Sequence, residues 1–180
     1  MISELQSYLQ ANIHNLRGAW VQKKSAYEAD ICRALLMEKE AGRYWDAKWN
    51  GYLLEFKKGT SIWLDLVRYS EVLLRVNENA CREVLSLFFI PDKRKEQIAE
   101  IICVESCAII ENLKLSEEYA RMLIQLNDHV PRSLNAQASL TVNDLRRLEK
   151  FSVRQMNAFG QGQHNNGMHP TPRHAASHES

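Results

Sequence analysis

Three residues in the first third of the chain have the types and spacing that phosphoryl chemistry needs: Asp46, Glu55 and Lys57. Two carboxylates converging on one point, with an ammonium group beside them, make an oxygen-rich, negatively charged setting suited to a hard cation. Mg²⁺ typically takes one or two protein carboxylates and fills its other positions with water and substrate phosphate. Mn²⁺ accepts the same oxygen donors. Asp46 and Glu55 are therefore the candidate metal ligands of this sequence.

Those residues meet only if residues 43–58 fold as a hairpin. The run RYWDAKW is followed by Asn50-Gly51 and then by YLLEFKK. Asn-Gly between two apolar-alternating runs predicts a tight reversal, because both central positions of a type I′ turn need positive φ. Counting outward from the turn sets Trp49 opposite Tyr52, Lys48 opposite Leu53, Ala47 opposite Leu54, Asp46 opposite Glu55, Trp45 opposite Phe56 and Tyr44 opposite Lys57. Side chains alternate faces along a strand. One face, with Trp45, Ala47, Leu54 and Phe56, is the expected core. The other carries Tyr44, Asp46, Lys48, Leu53, Glu55 and Lys57. Asp46 and Glu55 then form a non-hydrogen-bonded pair with Cα atoms roughly 4.5 Å apart. Like charges directly opposite destabilise a sheet, so something positive belongs between them: Lys57, two residues along, or a divalent cation. The plainer alternative is a charge-alternating solvated face whose ion pairs carry little energy.

Asp46, a short connection, and the run Leu54-Glu55-Phe56-Lys57 resemble the PD-(D/E)xK nuclease superfamily, most of all its resolvase-type and small nuclease members. The resemblance covers residues 42–74, with weaker support as far as Pro91. It implies that Asp46 and Glu55 hold Mg²⁺ or Mn²⁺, and that Lys57 orients or deprotonates the attacking water or steadies the phosphate. DNA or RNA is the implied substrate, and Lys48, Arg68 and Tyr69 become candidate phosphate contacts. The chain departs from the family pattern in three places. Trp45 stands where proline is common, Asp65-x-x-x-Tyr69 replaces Gln-x-x-x-Tyr, and two strands rather than three are readable before the helix.

Composition sets the bounds. The chain has 180 residues, 45% hydrophobic and 25% charged, ordinary for one soluble domain with a sizeable core. A formal net charge of +1 provides no global field toward nucleic acid, so such contact must come from a local patch. Cys32, Cys81, Cys103 and Cys107 show no CxxC spacing; Cys103 and Cys107 read as two buried thiols rather than zinc ligands. No signal peptide pattern and no apolar run of ~18–20 residues appear. A cytoplasmic protein without a membrane segment is expected.

Along the chain, apolar residues recur at helical spacing from Ile2 to Leu35, predicting one long helix or two meeting near residues 17–25. The stripe is longer than one hairpin can cover, so part of it is expected to pack on another subunit, as in a homodimer, or on the C-terminal helices. Residues 62–76 read as a helix and 83–91 as a buried strand, parallel to the second hairpin strand by a right-handed crossover. Further helices are expected over 93–113, opening with Lys93-Arg94-Lys95, over 115–127 and over 142–156. The last carries Arg146, Arg147, Lys150 and Arg154 as a candidate basic flank. The expected fold class is α+β or α/β: a small mixed sheet, hairpin plus one parallel strand, flanked by long helices and largely helical overall. Residues 1–158 form one globular domain, and 159–180 a disordered tail rich in Gly, Asn, His and Pro. Within the tail, Asn165-Asn166-Gly167-Met168-His169-Pro170-Thr171-Pro172 resembles peptide translated through the recombination repeat of mobile integron gene cassettes. That implies a bacterial, mobile origin and nothing about chemistry. Two functions follow as expectations: a metal-dependent nuclease hydrolysing phosphodiester bonds or, alternatively, a non-enzymatic oligomeric binding or interaction protein.

Overall fold

Asn50 and Gly51 both adopt left-handed backbone conformations, with φ of 43° and 87°, as a type I′ reversal demands. No atom lies within 4 Å of the position a Cβ on Gly51 would take, so backbone strain alone restricts that site. Gly51→Ala is expected to cost about 1 kcal/mol, read as a lower urea midpoint at unchanged slope.

The computed structural model describes residues 2–40, 45–75, 84–130 and 135–156. Gly42, Tyr44, the expected helix stop at 77–79, Pro131 and the expected disordered tail at 159–180 lie outside the described residues. The chain runs α1 (Ile2–Asn12), two 3-10 turns (Ile13–Asn15 and Ala19–Gln22), α2 (Glu28–Ala34), β1 (Glu38–Lys39), β2 (Ala47–Trp49), β3 (Tyr52–Lys58), β4 (Ser61–Asp65) and α3 (Leu66–Arg75). It continues through β5 (Val84–Pro91), β6 (Ile98–Glu105), α4 (Ser106–Asn112), α5 (Glu117–His129), β7 (Gln137–Thr141), α6 (Val142–Leu148) and β8 (Phe151–Arg154).

The fold is mixed α/β, with helical residues outnumbering strand residues. Six strands form one sheet in the order β1-β2-β3-β5-β6-β8, and β4 pairs with β7 in a second, two-stranded sheet. β2 and β3 keep the counted register for Trp49–Tyr52, Lys48–Leu53 and Ala47–Leu54. β1 adds a third antiparallel strand before the helix, invisible in sequence because Glu38–Lys39 has no apolar alternation. β5 lies parallel to β3, as the crossover argument required. Leu5, Leu9, Ile13, Leu16, Ile31 and Leu35 cover one face of the sheet, meeting Ala47, Leu54, Phe56, Leu87 and Phe89. Val72, Ile109, Ala120 and Leu123 cover the other, meeting Phe88, Ile102 and Val104.

Several expected helices are shorter than the periodicity predicted. The N-terminal stripe breaks after Asn12 and passes along the sheet edge, where Gly18 N–H donates to the Glu96 carbonyl at 3.0 Å and Ile98 N–H to the Leu16 carbonyl at 2.8 Å. Its apolar residues thus pack on the chain's own sheet, so the stripe gives no reason for a second subunit. Residues 93–113 divide into the β5–β6 turn, β6 and α4. β6 is buried on both faces, Ile101 and Cys103 entering one core and Ile102 and Val104 the other; such a strand has no polar face to mark its period. Residues 61–65 and 151–154 are strands whose short alternation was absorbed into neighbouring helical patterns. Cys103 is a buried free thiol, whereas Cys107 is disulfide-bonded, which corrects the reading of two thiols. The expected basic flank is largely ion-paired: Arg146 and Arg154 share Glu100, at 2.7 and 2.9 Å, Lys150 binds Glu105 at 3.0 Å, and Arg147 binds Asp144. Among the described residues no helix is long and apolar enough to cross a membrane.

Candidate active site

The site begins at an irregularity in the hairpin. Asp46 N–H donates to the Leu54 carbonyl at 2.9 Å, although Leu54 is already the partner of Ala47. Two residues then oppose one, which is a β-bulge, and a bulge re-aims the side chains beyond it. Direct pairing of Asp46 with Glu55 and of Trp45 with Phe56 therefore does not occur. Trp45 joins Leu53 against the second core instead of Ala47 and Phe56 in the first. Phe56 N–H, which an unbroken ladder would give to a carbonyl, donates to Asp46 Oδ2 at 2.7 Å. The Asp46 carbonyl accepts from Glu40 N–H at 3.0 Å. The bulge thus turns the Asp46 carboxylate back onto β3.

Glu55 lies on the α3 side of the sheet, its side chain only 2% exposed, with Lys57 Nζ 2.6 Å from Oε1. That contact is ionic, since Oε1 makes no directed hydrogen bond. The Arg68 guanidinium binds Oε2 of the same carboxylate and reaches Asp46 Oδ1 at 3.7 Å. Arg68 gets there because α3 starts at Leu66, where Asp65 Oδ1 accepts Val67 N–H at 3.0 Å and supports the first turn. Local reasoning offered Lys57 or a divalent cation as the positive group between the acids. Lys57 does take one Glu55 oxygen, but the group spanning both carboxylates is Arg68.

Electrostatics follow from this crowding. Burial, and then the Glu55 charge, push the Asp46 carboxyl up to about 7, against the opposing pull of Phe56 N–H and Arg68. Burial draws the Arg68 guanidinium downward, but Glu55 and Asp46 outweigh it and the net shift is upward. With side chains 15%, 21% and 24% exposed, Asp46, Lys57 and Arg68 rim the site and Glu55 forms its floor. The alternative of a solvated charged face is excluded at Glu55.

Two candidate phosphate contacts take other partners. The Lys48 ammonium pairs with Glu40. Tyr69 is buried, its hydroxyl 2.9 Å from Ser86 Oγ, and burial raises its pKa; it is a core residue. Arg68 keeps a place at the rim. Sequence reasoning missed Tyr27 and Lys58. The Lys58 ammonium sits 4.9 Å from the centre of the Tyr27 ring and donates to the Val21 and Lys23 carbonyls at 2.6 and 2.7 Å. These contacts tie the N-terminal segment to the end of β3. The available signal was the doublet itself, since adjacent strand residues Lys57 and Lys58 must point to opposite faces.

The donor set at the bulge is two carboxylates, which fits the one or two that Mg²⁺ takes from protein. Among the described residues no third His, Cys, Asp or Glu gathers with them into a metal-holding group. Comparison with family models, curated proteins and solved structures finds no match to this chain.

Proposed function

We propose that the chain is a metal-dependent phosphodiesterase of the nuclease type. The observation that carries this reading is the meeting of Asp46, Glu55 and Lys57 in one charge cluster, on strands that form an antiparallel meander continued by a parallel β5. The succession of Asp46, turn and Glu-x-Lys strand is the one the family resemblance implies, with β4 inserted before the helix. Asp46 and Glu55 would hold Mg²⁺ or Mn²⁺, which when bound polarises a phosphodiester and lowers the pKa of a coordinated water. Lys57, at the rim, orients the water or steadies the phosphate. Arg68 balances the two acids in the absence of the cation, and a phosphate oxygen suits its forked donors equally well. Incubation with plasmid and single-stranded DNA and RNA is expected to give cleavage that needs Mg²⁺ or Mn²⁺ and stops with EDTA. Asp46→Asn and Lys57→Ala are expected to reduce its rate about 100-fold or more. Undiminished cleavage in both variants would remove the proposal.

A non-enzymatic, self-associating interaction protein is the second reading, and one observation favours it. α5 and its C-cap expose Tyr119, Met122, Leu126 and Val130 at helical spacing, an apolar stripe suited to a second copy of the chain. In that reading Arg68 is a permanent ionic lock.

A further inference from the structure

Next to the acid pair, the N-terminal segment and the ends of β3 and β4 enclose a cleft of about 380 Å³. Among the described residues its lining holds five lysines, Lys23, Lys24, Lys57, Lys58 and Lys95, and no acidic residue. Three of them are committed, Lys58 to backbone carbonyls, Lys23 to Asp30 at 2.9 Å and Lys57 to Glu55 at 2.6 Å. Lys24 and Lys95 are exposed. Burial and then the nearby Lys95 charge pull Lys58 downward, opposed by the Glu28 charge. Lys57 lines the cleft and also pairs with Glu55, so cleft and site adjoin at that residue. On the rim, β4 presents Trp63, a large apolar ring left 56% exposed.

A line of ammonium groups that ends on a reactive centre fits a phosphodiester backbone. A solvent-facing indole beside it fits an unstacked base, because base stacking on aromatic side chains needs a π-face that an intact duplex keeps covered. We infer that this cleft binds a single nucleic-acid strand, its phosphates along Lys24, Lys95 and Lys57 and a base stacked on Trp63. This names the substrate class of the proposed phosphodiesterase and rests on that reading for its purpose, although the binding itself needs no metal.

Fluorescence anisotropy of a labelled oligo-dT strand with the full chain in EDTA separates binding from cleavage. Saturable binding is expected, at least tenfold tighter than to a duplex of equal length. Lys24→Ala combined with Lys95→Ala is expected to weaken it about tenfold or more and to flatten the salt slope by about 1.4, at roughly 0.7 for each lost phosphate contact. Trp63→Ala is expected to weaken it about tenfold with the salt slope unchanged. Asp46→Asn, which removes a carboxylate near the phosphate path, is expected to bind at least as tightly as the parent while losing cleavage, so failure of cleavage and failure of this inference give different results. Equal affinity for duplex, no binding at all, or displacement by inorganic polyphosphate at equal phosphate concentration with Trp63→Ala silent would each overturn it. The last outcome would make the cleft an anion site without base recognition.

Discussion

Arg68→Ala is expected to lower stability by about 3 kcal/mol in EDTA and to recover most of that loss in millimolar Mg²⁺. Removing one partner of a buried charge pair typically costs about 3–5 kcal/mol. The low end applies because Arg68 is 24% exposed and partly hydrated. The guanidinium is the group that spans Glu55 and Asp46, so its loss leaves two mostly buried carboxylates with Lys57 alone to balance them. A divalent cation that binds only the native state stabilises it by about 2.7 kcal/mol at a hundredfold excess over its dissociation constant. The parent protein should gain less, since there the cation must first displace Arg68. Urea unfolding of both proteins with and without Mg²⁺ measures this directly. A variant that Mg²⁺ and Mn²⁺ both fail to rescue would identify the acids as a structural ion cluster and end the metal-dependent reading.

For Asp46→Asn, function and stability are expected to move in opposite directions. In the folded protein the Asp46 carboxyl titrates at about 7, against an ordinary value of 3.8. A folded value above the unfolded one means the native state holds a proton that the unfolded chain releases. Stability therefore falls as pH rises from about 4 to about 7, and the penalty is complete above that window. A gap of about three pH units corresponds to roughly 4 kcal/mol at most, shared with the neighbouring Glu55. Asparagine keeps an oxygen for Phe56 N–H and carries no charge. The variant should therefore be more stable than the parent at pH 8, by about 2–4 kcal/mol, and equal to it near pH 3. It should also lose the calorimetric heat of Mg²⁺ binding. A variant no more stable than the parent at pH 8 would mean that Asp46 is ionised without penalty and the site is open to water.

What the amino-acid order determined by itself is local. Asn50-Gly51 dictated its own turn, because few residues other than glycine and asparagine accept positive φ cheaply. With the turn set, three strand pairs followed by counting. Ser116 before two glutamates marked the start of α5, where its side chain accepts Tyr119 N–H at 3.2 Å. The apolar β-branched and aromatic run ending at Pro91 identified β5, and the crossover rule made it parallel to β3.

Tertiary structure decided what depends on partners distant in the chain. β6 is a strand because β5 and β8 flank it and helices cover both its faces, circumstances that leave no period in its own eight residues. The bulge at Asp46 arises where the Asp46 carboxylate captures Phe56 N–H, a bond no strand count contains. Arg68 reaches the two acids only because α3 lies across their face of the sheet. Local sequence could show that a positive charge was needed between Asp46 and Glu55. Which group supplies it was settled by packing, since electrostatic balance in a buried site depends on whatever the fold brings within a few ångströms.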